Sequence, residues 1–390
     1  MQDERPVVLH KGIYKPTATT AEAVFMITGM TIGAGILGIP FVVSRVGILI
    51  GVSYIIILGI VMLFLNVMIG EIIARTDESL QLPGLAGKYL GSHAKQLLTI
   101  TTTFGAVGAL LAYIIGEGKV LATLFGGEPV RWSIIFWSIG SAFIVAGLNR
   151  IKKAEKILSS TVIVLILLLS LYLLPHFKAP NLSYVDLSAV FLPYGVILFA
   201  LHGAPAIAEA HALLPRDPGR FQRALIIGTL IPIAVYVLFA VAVAGAQGLL
   251  TTEVATAGLG QRFGAGVLVV ANIFAVFAMC TGFMGLGTAL KETLVWDHGL
   301  SNWLGTFLVI SVPLLLFLAG FHNFVNILSI VGGLFIGLEA VVMVLVYWQA
   351  RVTGVLPPSR YGAHYGLLIS VPVFIIFGFI TMHSIFKLLF

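Results

Sequence analysis

Long apolar runs follow one another along almost the whole chain, and short polar stretches separate them. Eleven of these runs have roughly 18 residues or more, the length that an α-helix needs to cross the hydrocarbon core of a bilayer. The pattern therefore predicts an all-α polytopic membrane protein with eleven transmembrane helices. The predicted helices are approximately Ala21–Val46, Ile48–Ala74, Gln96–Phe125, Trp132–Leu148, Ile157–Leu174, Val190–Leu213, Arg223–Ala246, Ala265–Leu294, Trp303–Gly320, Val325–Trp348 and Tyr365–Phe386.

The loops between the runs differ in their basic residues. If the N-terminus lies in the cytoplasm, most of the 22 lysine and arginine residues fall in loops on the inner side, as the positive-inside rule requires. Omitting one helix would exchange inner and outer loops in the rest of the chain and remove this bias of basic residues, so the helix count and the orientation support each other. The sequence thus predicts a plasma-membrane protein with a cytoplasmic N-terminal tail, residues 1–20, and an outside C-terminus.

The composition agrees with this class and excludes others. Hydrophobic residues make up 59% of the chain and charged residues 10%, whereas soluble domains carry about 25% charge. The one cysteine, Cys280, excludes an intramolecular disulfide and a multi-cysteine metal site. The net charge of +6 comes from short loops and does not indicate nucleic-acid binding. The polar start of the chain predicts no removable signal peptide.

The first apolar run contains a segment that a continuous helix accommodates poorly. Residues 27–40 read ITGMTIGAGILGIP, with four glycines and a proline. In lipid, a freed backbone amide or carbonyl must face protein, a cavity or a bound solute. The segment therefore predicts a discontinuous helix, the element that forms the substrate site in secondary transporters.

Two other interpretations use the same glycines. Gly29 and Gly33 form a G-x-x-x-G pair, which could serve only to pack a neighbouring helix closely. Gly33 to Gly38 also matches the dinucleotide-binding pattern G-x-G-x-x-G, which needs a preceding strand and an acidic residue about 20 positions later. Here the flanks are membrane-length apolar runs and the next acidic residue is Glu71. We exclude the dinucleotide site, and helix packing remains the alternative.

A second break is predicted in the sixth run. Residues 199–206 read FALHGAPA and place His202, Gly203 and Pro205 in the middle of the span. The segment lies five helices after the first break, and an odd number of helices reverses the second copy in the membrane. We therefore predict a five-plus-five inverted repeat, in which matching breaks mark the binding site. The predicted units are the tail 1–20, the first repeat 21–175, the second repeat 190–350 and an added helix 361–390.

Three ionisable residues within the predicted spans are candidates for function by default. Glu117 needs a partner or must be neutral, and whether it faces the pathway is left open. Glu339 is predicted to be either protonated or paired across helices, and both states suit gating or a proton relay. His202 lies in the second break, although a single membrane histidine also serves in packing.

Two further charged residues lie nearer to the ends of their helices. Glu71 is predicted to pair with Arg75, one helical turn later, at the cytoplasmic surface. Lys119 is predicted to extend outward as a boundary residue. Two loops, residues 77–95 inside and 251–262 outside, are predicted to contain short helices.

Three segments together resemble the amino acid/auxin permease family. They are GMTIGAGILGIP at residues 29–40, FALHGAP at 199–205 and AMCTGFMGLG at 278–287. This family includes bacterial aromatic and hydroxy amino acid permeases and sodium-coupled neutral amino acid transporters, within the amino acid–polyamine–organocation superfamily. The likeness covers helices 1–10, although the proline spacing of the second segment differs from that of the bacterial aromatic permeases. It implies a leucine-transporter-type fold and amino acid uptake driven by protons or sodium.

The resemblance also implies a substrate site at the two breaks. The amides of residues 33–35 would bind the substrate carboxylate at the positive end of a half-helix. Carbonyls of residues 200–202 would accept hydrogen bonds from the amino group. Tyr113 would hold or cover the carboxylate, with core packing as its alternative role. The implied substrate-binding residues are Gly29, Thr31, Gly33, Ala34, Gly35, Tyr113, Ala200, Leu201, His202 and Gly203.

The resemblance leaves the coupling ion open. In this fold a sodium ion would use the carbonyls of Gly29 and Ile32 and the hydroxyl of Thr281. A hard cation needs several oxygens, and Cys280 stands where a second hydroxyl would help. The asparagine of sodium-coupled relatives is also missing, and the fifth run lacks the lysine of some proton-coupled relatives. We favour protons because ionisable residues are available in the spans. The predicted ion-coupling residues are Gly29, Ile32, Thr281, Cys280, Glu117 and Glu339.

The sequence thus predicts a secondary active symporter for a neutral or aromatic amino acid, working by alternating access with its site between helices 1, 3, 6 and 8. The alternatives are a sodium-coupled symporter of the same fold and an amino acid sensor that does not transport. We expect no enzymatic activity and no cofactor apart from the coupling ion. The expected partners are a small amino acid and membrane lipid, with no nucleic acid and no obligate protein partner.

Overall fold

The computed structural model of the chain describes residues 19–76, 80–146, 151–215, 217–297, 300–354 and 363–389, and the regular elements in these ranges are helical. Except for Thr19 and Thr20, the predicted tail 1–20 lies outside the described residues. The α-helices are α1 (Thr20–Thr31), α2 (Gly35–Val46), α3 (Ile48–Arg75), α4 (Leu82–Leu90), α5 (Ser92–Phe125), α6 (Pro129–Ala146), α7 (Ile151–Leu173), α8 (Ala179–Ser183), α9 (Pro193–Leu201), α10 (Pro205–Leu213), α11 (Pro218–Gln247), α12 (Leu259–Phe263), α13 (Ala265–Glu292), α14 (Asn302–Leu318), α15 (Phe324–Ile330), α16 (Gly337–Val352) and α17 (Ala363–Leu389).

The helices account for every predicted apolar run. Among the described residues, seven helical segments are long and apolar enough to cross a membrane, and the bent pair α1–α2 makes an eighth. Three shorter apolar helices lie at Pro129–Val145, Ser160–His176 and Asn302–Leu318. Each of the eleven predicted runs therefore coincides with one helix or with a pair of helices.

The first predicted break is present. The axes of α1 and α2 are bent by 58° relative to each other, and residues 32–34 between them lie outside regular helix. Ile32 has a ψ of 89°, which closes a tight turn in which the Gly33 amide donates to the Thr31 carbonyl at 3.1 Å. A new helix then begins at Gly35. The glycine-rich segment therefore interrupts the helix, beyond any role it has in packing.

The second predicted break separates α9 from α10. His202 has a ψ of 103° and ends α9, and residues 202–204 are outside helix. Pro205 is the first residue of α10. Proline is favoured there because the first amides of a helix have no intrahelical acceptor, so its missing amide costs nothing.

The structure contains a third irregular segment, which was not predicted from the sequence. Residues 331–336 form a π-helical turn between α15 and α16, inside the predicted tenth run. A Cβ atom on Gly332 would contact the Gly195 carbonyl, and one on Gly195 would stand 2.8 Å from the Ser329 Cα. These two glycines let the π turn lie directly against α9. Such turns occur frequently at functional sites.

The broken helices lie inside the bundle. Helix α11 packs along α1, α2 and α3, and α2 lies against α9. Ten of the twelve residues of α2 are buried, so this half-helix contacts protein over almost its whole surface. A helix break is tolerated at membrane depth under this condition.

Both predicted loop helices are present, and one loop attaches to a broken helix. Helix α4 lies within the predicted inner segment 77–95, and α12 overlaps the predicted outer segment 251–262. In the outer loop, the Ala255 amide donates to the Leu37 carbonyl at 2.9 Å. The outer loop is therefore bonded to the second half of the first broken helix.

Candidate functional site

The two breaks lie directly against each other. A Cβ atom on Gly35 would stand 2.5 Å from the Ala200 Cα and 2.6 Å from its Cβ, distances that side chains do not tolerate. A Cβ atom on Gly203 would contact the hydroxyl oxygen of Thr31. Because both glycines are at contact points, the backbones of the two broken helices touch. The structure thus brings together the substrate-binding residues predicted from the two halves of the chain.

The amino-terminal end of α2 presents free amides. Among the described residues, the amides of Ala34 and Gly35 have no hydrogen-bond partner, since the first amides of a helix lack intrahelical acceptors. The helix dipole favours a negative group at this end. The amide of Gly33, the third predicted carboxylate donor, differs from these two because it donates to the Thr31 carbonyl. The tight turn that ends α1 uses this amide.

A residue that the sequence analysis did not select joins the carboxyl-terminal ends of α1 and α9. Tyr236 of α11 is fully buried, and its hydroxyl donates to the carbonyl oxygens of Thr31 and Ala200, both at 2.9 Å. Tyr236 stands in an apolar stretch, so no sequence pattern marks it. The Ala200 carbonyl, predicted to face the substrate, already has a donor. Its second lone pair remains available.

Tyr113 stands beside the first break, as predicted for a residue near the substrate carboxylate. A Cβ atom on Gly33 would lie 3.0 Å from the Tyr113 hydroxyl oxygen, and one on Gly282 would lie 2.5 Å from it. The tyrosine side chain is therefore inserted between the start of α2 and α13. Its contact with substrate remains a prediction.

An ionisable pair connects the second break with α16. His202 Nε2 lies 3.7 Å from Glu339 Oε1, so the two side chains are neighbours across helices, and both predicted states of Glu339, protonated or paired, are compatible with this distance. His202 Nδ1 and Glu117 Oε2 are buried without a hydrogen-bond partner among the described residues. These groups are the ones available to bind and release a proton.

The residues predicted for sodium lie at the end of α1 and on α13. Gly29 belongs to the last turn of α1, and Ile32 caps that helix. The Thr281 hydroxyl donates to the Phe277 and Ala278 carbonyls of its own helix at 2.8 and 3.1 Å, which leaves its lone pairs for a cation. No cluster of three His, Cys, Asp or Glu residues that could hold a metal occurs in the described ranges. The sodium site remains a prediction.

Glu71 has a different partner from the predicted Arg75. Its carboxylate accepts a hydrogen bond from the Tyr347 hydroxyl at 3.2 Å and lies 3.7 Å from Arg351 Nη2. Both partners belong to α16, which packs against α3. A contact between helices replaces the predicted pair within one helix, because the tertiary packing offers a tyrosine and an arginine together.

Lys119 joins three elements on the predicted outer side. Its Nζ lies 2.5 Å from Glu253 Oε2 in the outer loop, and Glu253 Oε1 accepts a hydrogen bond from the Asn323 side chain at 3.1 Å. Helix α5, the outer loop and the start of α15 are thereby connected. Lys119 therefore extends toward the outer loop, as expected of a boundary residue, and it also forms an ion pair there, which was not predicted.

Glu253→Gln is expected to weaken this connection only slightly. The Lys119 and Glu253 side chains are 30% and 26% exposed, and a partly exposed ion pair contributes about 1 kcal/mol or less. We expect thermal unfolding in detergent to shift down by no more than about 3 °C. The charge-reversed double variant, Lys119→Glu with Glu253→Lys, should regain most of the loss. A double variant less stable than both single variants would contradict the pairing, and Glu128→Gln in an exposed loop is the control.

A cleft of about 590 Å³ lies away from the breaks, between α3, α9 and α17. It is mainly apolar, with Tyr194 and His383 among its polar groups. The Tyr194 hydroxyl is 2.8 Å from the Ser384 hydroxyl and 3.2 Å from His383 Nδ1. These contacts attach α17 to the start of α9.

At the breaks themselves, Ala34, Gly35 and their neighbours are mostly buried, so the two half-helices are closely packed.

Several known transporters resemble this chain in sequence or in fold. The tyrosine-specific transport system 2 of Haemophilus influenzae is 24% identical over 385 residues, covering 90% of this chain and 93% of that protein. Glutamine transporter 2 of Aliivibrio fischeri is 23% identical over 303 residues, covering 73% of this chain and 78% of that protein. The structure of MhsT in complex with L-phenylalanine has a TM-score of 0.69 at 14% identity, covering 95% of this chain and 99% of MhsT.

The family is established by a match along nearly the whole chain. The model of the tryptophan/tyrosine permease family matches residues 17–384, which confirms the predicted likeness to aromatic amino acid permeases. The similarity to MhsT shows that the chain shares the all-helical fold of that structure. The chain is accordingly a membrane permease without enzymatic activity, and it belongs to the tryptophan/tyrosine permease family.

Proposed function

We propose that this permease is a secondary active symporter that carries an aromatic, neutral amino acid together with a proton by alternating access. The contact between the two broken helices carries the proposal. At this contact the free amides of Ala34 and Gly35 can bind a carboxylate, and carbonyl ends of half-helices can accept from an amino group. The family description and the tyrosine-specific relative support an aromatic side chain on the substrate.

The pair of His202 and Glu339 supports a proton as the coupling ion. A charged side chain deep in a membrane is costly, so the pair is stable only when its charges balance or when it is neutral. Adding or removing one proton changes this balance, and with it the attraction between the second break and α16. Glu117, whose Oε2 has no partner among the described residues, is the second candidate for proton binding.

Sodium symport is the alternative coupling. The ion would be held by the carbonyls of Gly29 and Ile32 and by the hydroxyl of Thr281. The free lone pairs of this hydroxyl support the alternative. The neighbouring Cys280 does not add the oxygen that a hard cation requires, so the proton is favoured.

We further propose a topology of eleven crossings in the plasma membrane, with the N-terminus in the cytoplasm and the C-terminus outside. The distribution of basic residues supports this orientation. Residues 21–175 and 190–350 would form the inverted repeats, and 361–390 the added helix. The surroundings are membrane lipid, and transport would need no protein partner.

The proposal predicts proton-driven uptake of L-tyrosine. The purified full chain is reconstituted into liposomes, and a pH gradient and a sodium gradient are imposed separately. We expect accumulation with the pH gradient, loss of accumulation with a protonophore, and only equilibration with the sodium gradient. Thr281→Ala should leave proton-driven uptake unchanged.

Two results would count against this assignment. Accumulation only with sodium, together with a raised sodium requirement in Thr281→Ala, would favour the alternative. Absence of uptake of tyrosine, tryptophan, phenylalanine and glutamine with both gradients would contradict amino acid transport altogether.

A further inference from the structure

We propose that the Tyr236 hydroxyl takes the place of a cation between the carboxyl-terminal ends of α1 and α9, and that Tyr236 is the positioning residue that holds the two broken helices together. The inference deepens the proposed function and rests on it for the transport readout. Among the described residues, Tyr236 forms no hydrogen bond with the free amides of α2 or with the His202–Glu339 pair. Its role is therefore exerted through the backbone of the two breaks.

The geometry places one hydroxyl on two carbonyl groups from different halves of the chain. Thr31 is the last residue of α1, and Ala200 belongs to the last turn of α9. Both carbonyl oxygens are 2.9 Å from the Tyr236 oxygen, a normal length for a hydrogen bond. The two carbonyls are therefore neighbours that share a single donor.

Electrostatics explains why this point requires a positive group. The carboxyl-terminal end of a helix carries a partial negative charge of about half an elementary charge. Two such ends converge on one buried point, where no bulk water screens them. In transporters with discontinuous helices, ends of this kind coordinate a sodium ion or a proton. Here the positive end of an O–H bond occupies the point of convergence.

The other polar groups nearby do not supply this charge. The Thr31 hydroxyl donates to the Ile27 carbonyl at 2.7 Å and is directed back along its own helix. The Gly33 amide donates to the Thr31 carbonyl but to no carbonyl of α9. Among the described residues, Tyr236 is thus the group that donates to both helix ends, and it fixes their separation.

Three substitutions separate a cation-like role from simple packing. Tyr236→Phe removes only the hydroxyl, Tyr236→Met fills the space without a donor, and Tyr236→Lys brings an ammonium group on a side chain of similar reach. A buried ammonium is normally more destabilising than a buried methionine. A packing role therefore predicts that the lysine variant is the worst of the three, whereas a cation-like role predicts that it is the best.

The experiment measures L-tyrosine uptake into liposomes and the midpoint of thermal unfolding in detergent, for the full chain and each variant. We expect Tyr236→Phe and Tyr236→Met to lose about tenfold or more in initial rate, because the buried Ala200 carbonyl loses its donor and the Thr31 carbonyl keeps only the Gly33 amide. We expect Tyr236→Lys to transport several-fold faster than both and to unfold at a higher temperature than both. Tyr194→Phe, which removes another buried hydroxyl with two partners, should transport like the unmodified chain.

Each opposing result overturns the inference. A Tyr236→Phe variant with normal uptake would mean that the hydroxyl is dispensable. A Tyr236→Lys variant that unfolds, or that transports no better than Tyr236→Met, would mean that a cation is not accepted between the two carbonyls. If the unmodified chain transports no amino acid, the proposed function fails, and the order of the unfolding temperatures still tests the role of Tyr236.

Discussion

Gly35→Leu is expected to abolish amino acid uptake. Even a single Cβ atom at this position would stand 2.5 Å from the Ala200 Cα, so a leucine must push the two half-helices apart. The displacement also moves the free amides of Ala34 and Gly35 away from the substrate carboxylate. A shift of about 1 Å in a binding geometry can cost a hundredfold in rate, and we expect a loss of at least that size in L-tyrosine uptake into liposomes.

A glycine in open surroundings supplies the matched control. No atom lies within 4 Å of a Cβ atom built on Gly378 of α17, so Gly378→Leu should transport normally. Size-exclusion profiles and unfolding temperatures of both variants establish that they fold. Near-normal uptake by a folded Gly35→Leu variant would contradict a substrate site at the contact of the two breaks.

Glu339→Gln is expected to uncouple transport from the proton gradient. The amide keeps the size of the carboxyl group and can form a hydrogen bond with His202, but it cannot gain or lose a proton. A pH difference of two units can support accumulation of about a hundredfold for a one-to-one symporter, since each unit is worth about 1.4 kcal/mol. We expect the variant to equilibrate L-tyrosine without accumulating it, while exchange of internal for external tyrosine persists.

The persistence of exchange distinguishes loss of coupling from loss of the site. Glu128→Gln, in the loop before α6, is the control and should accumulate tyrosine as the unmodified chain does. If Glu339→Gln accumulates tyrosine to the same level under a pH gradient, Glu339 carries no coupling proton. If exchange disappears as well, the residue supports the second break and has no separate part in coupling.

Both helix breaks could be predicted because their causes are local. Glycines in residues 29–38 and the Gly203-to-Pro205 segment weaken or restart a helix whatever surrounds them. The membrane-length apolar runs also predicted the positions of the helices to within a few residues, because the thickness of the bilayer sets the length of a spanning helix. The matching positions of the two breaks in the predicted repeats then allowed them to be interpreted as one site, and the backbones at Gly35 and Ala200 are in contact.

The features that were not predicted from the sequence depend on contacts between distant parts of the chain. Tyr236 is one aromatic residue in an apolar helix, and only its approach to Thr31 and Ala200 distinguishes it from a core residue. The partner of Lys119 is Glu253, which lies 134 positions away. The π turn at residues 331–336 depends on its packing against α9. None of these has a pattern of neighbouring residues that could have revealed it.

Attachment of α17 to the start of α9 makes the last helix a reporter of motion. The Tyr194 hydroxyl holds His383 and Ser384 of α17, while the other end of α9 is Leu201, beside the second break. A rearrangement of that break would therefore be transmitted along nine residues of helix to the lipid-facing rim of the molecule. A spin label or fluorophore on an exposed position of α17, such as Met382, can follow the transport cycle from the periphery without touching the substrate site.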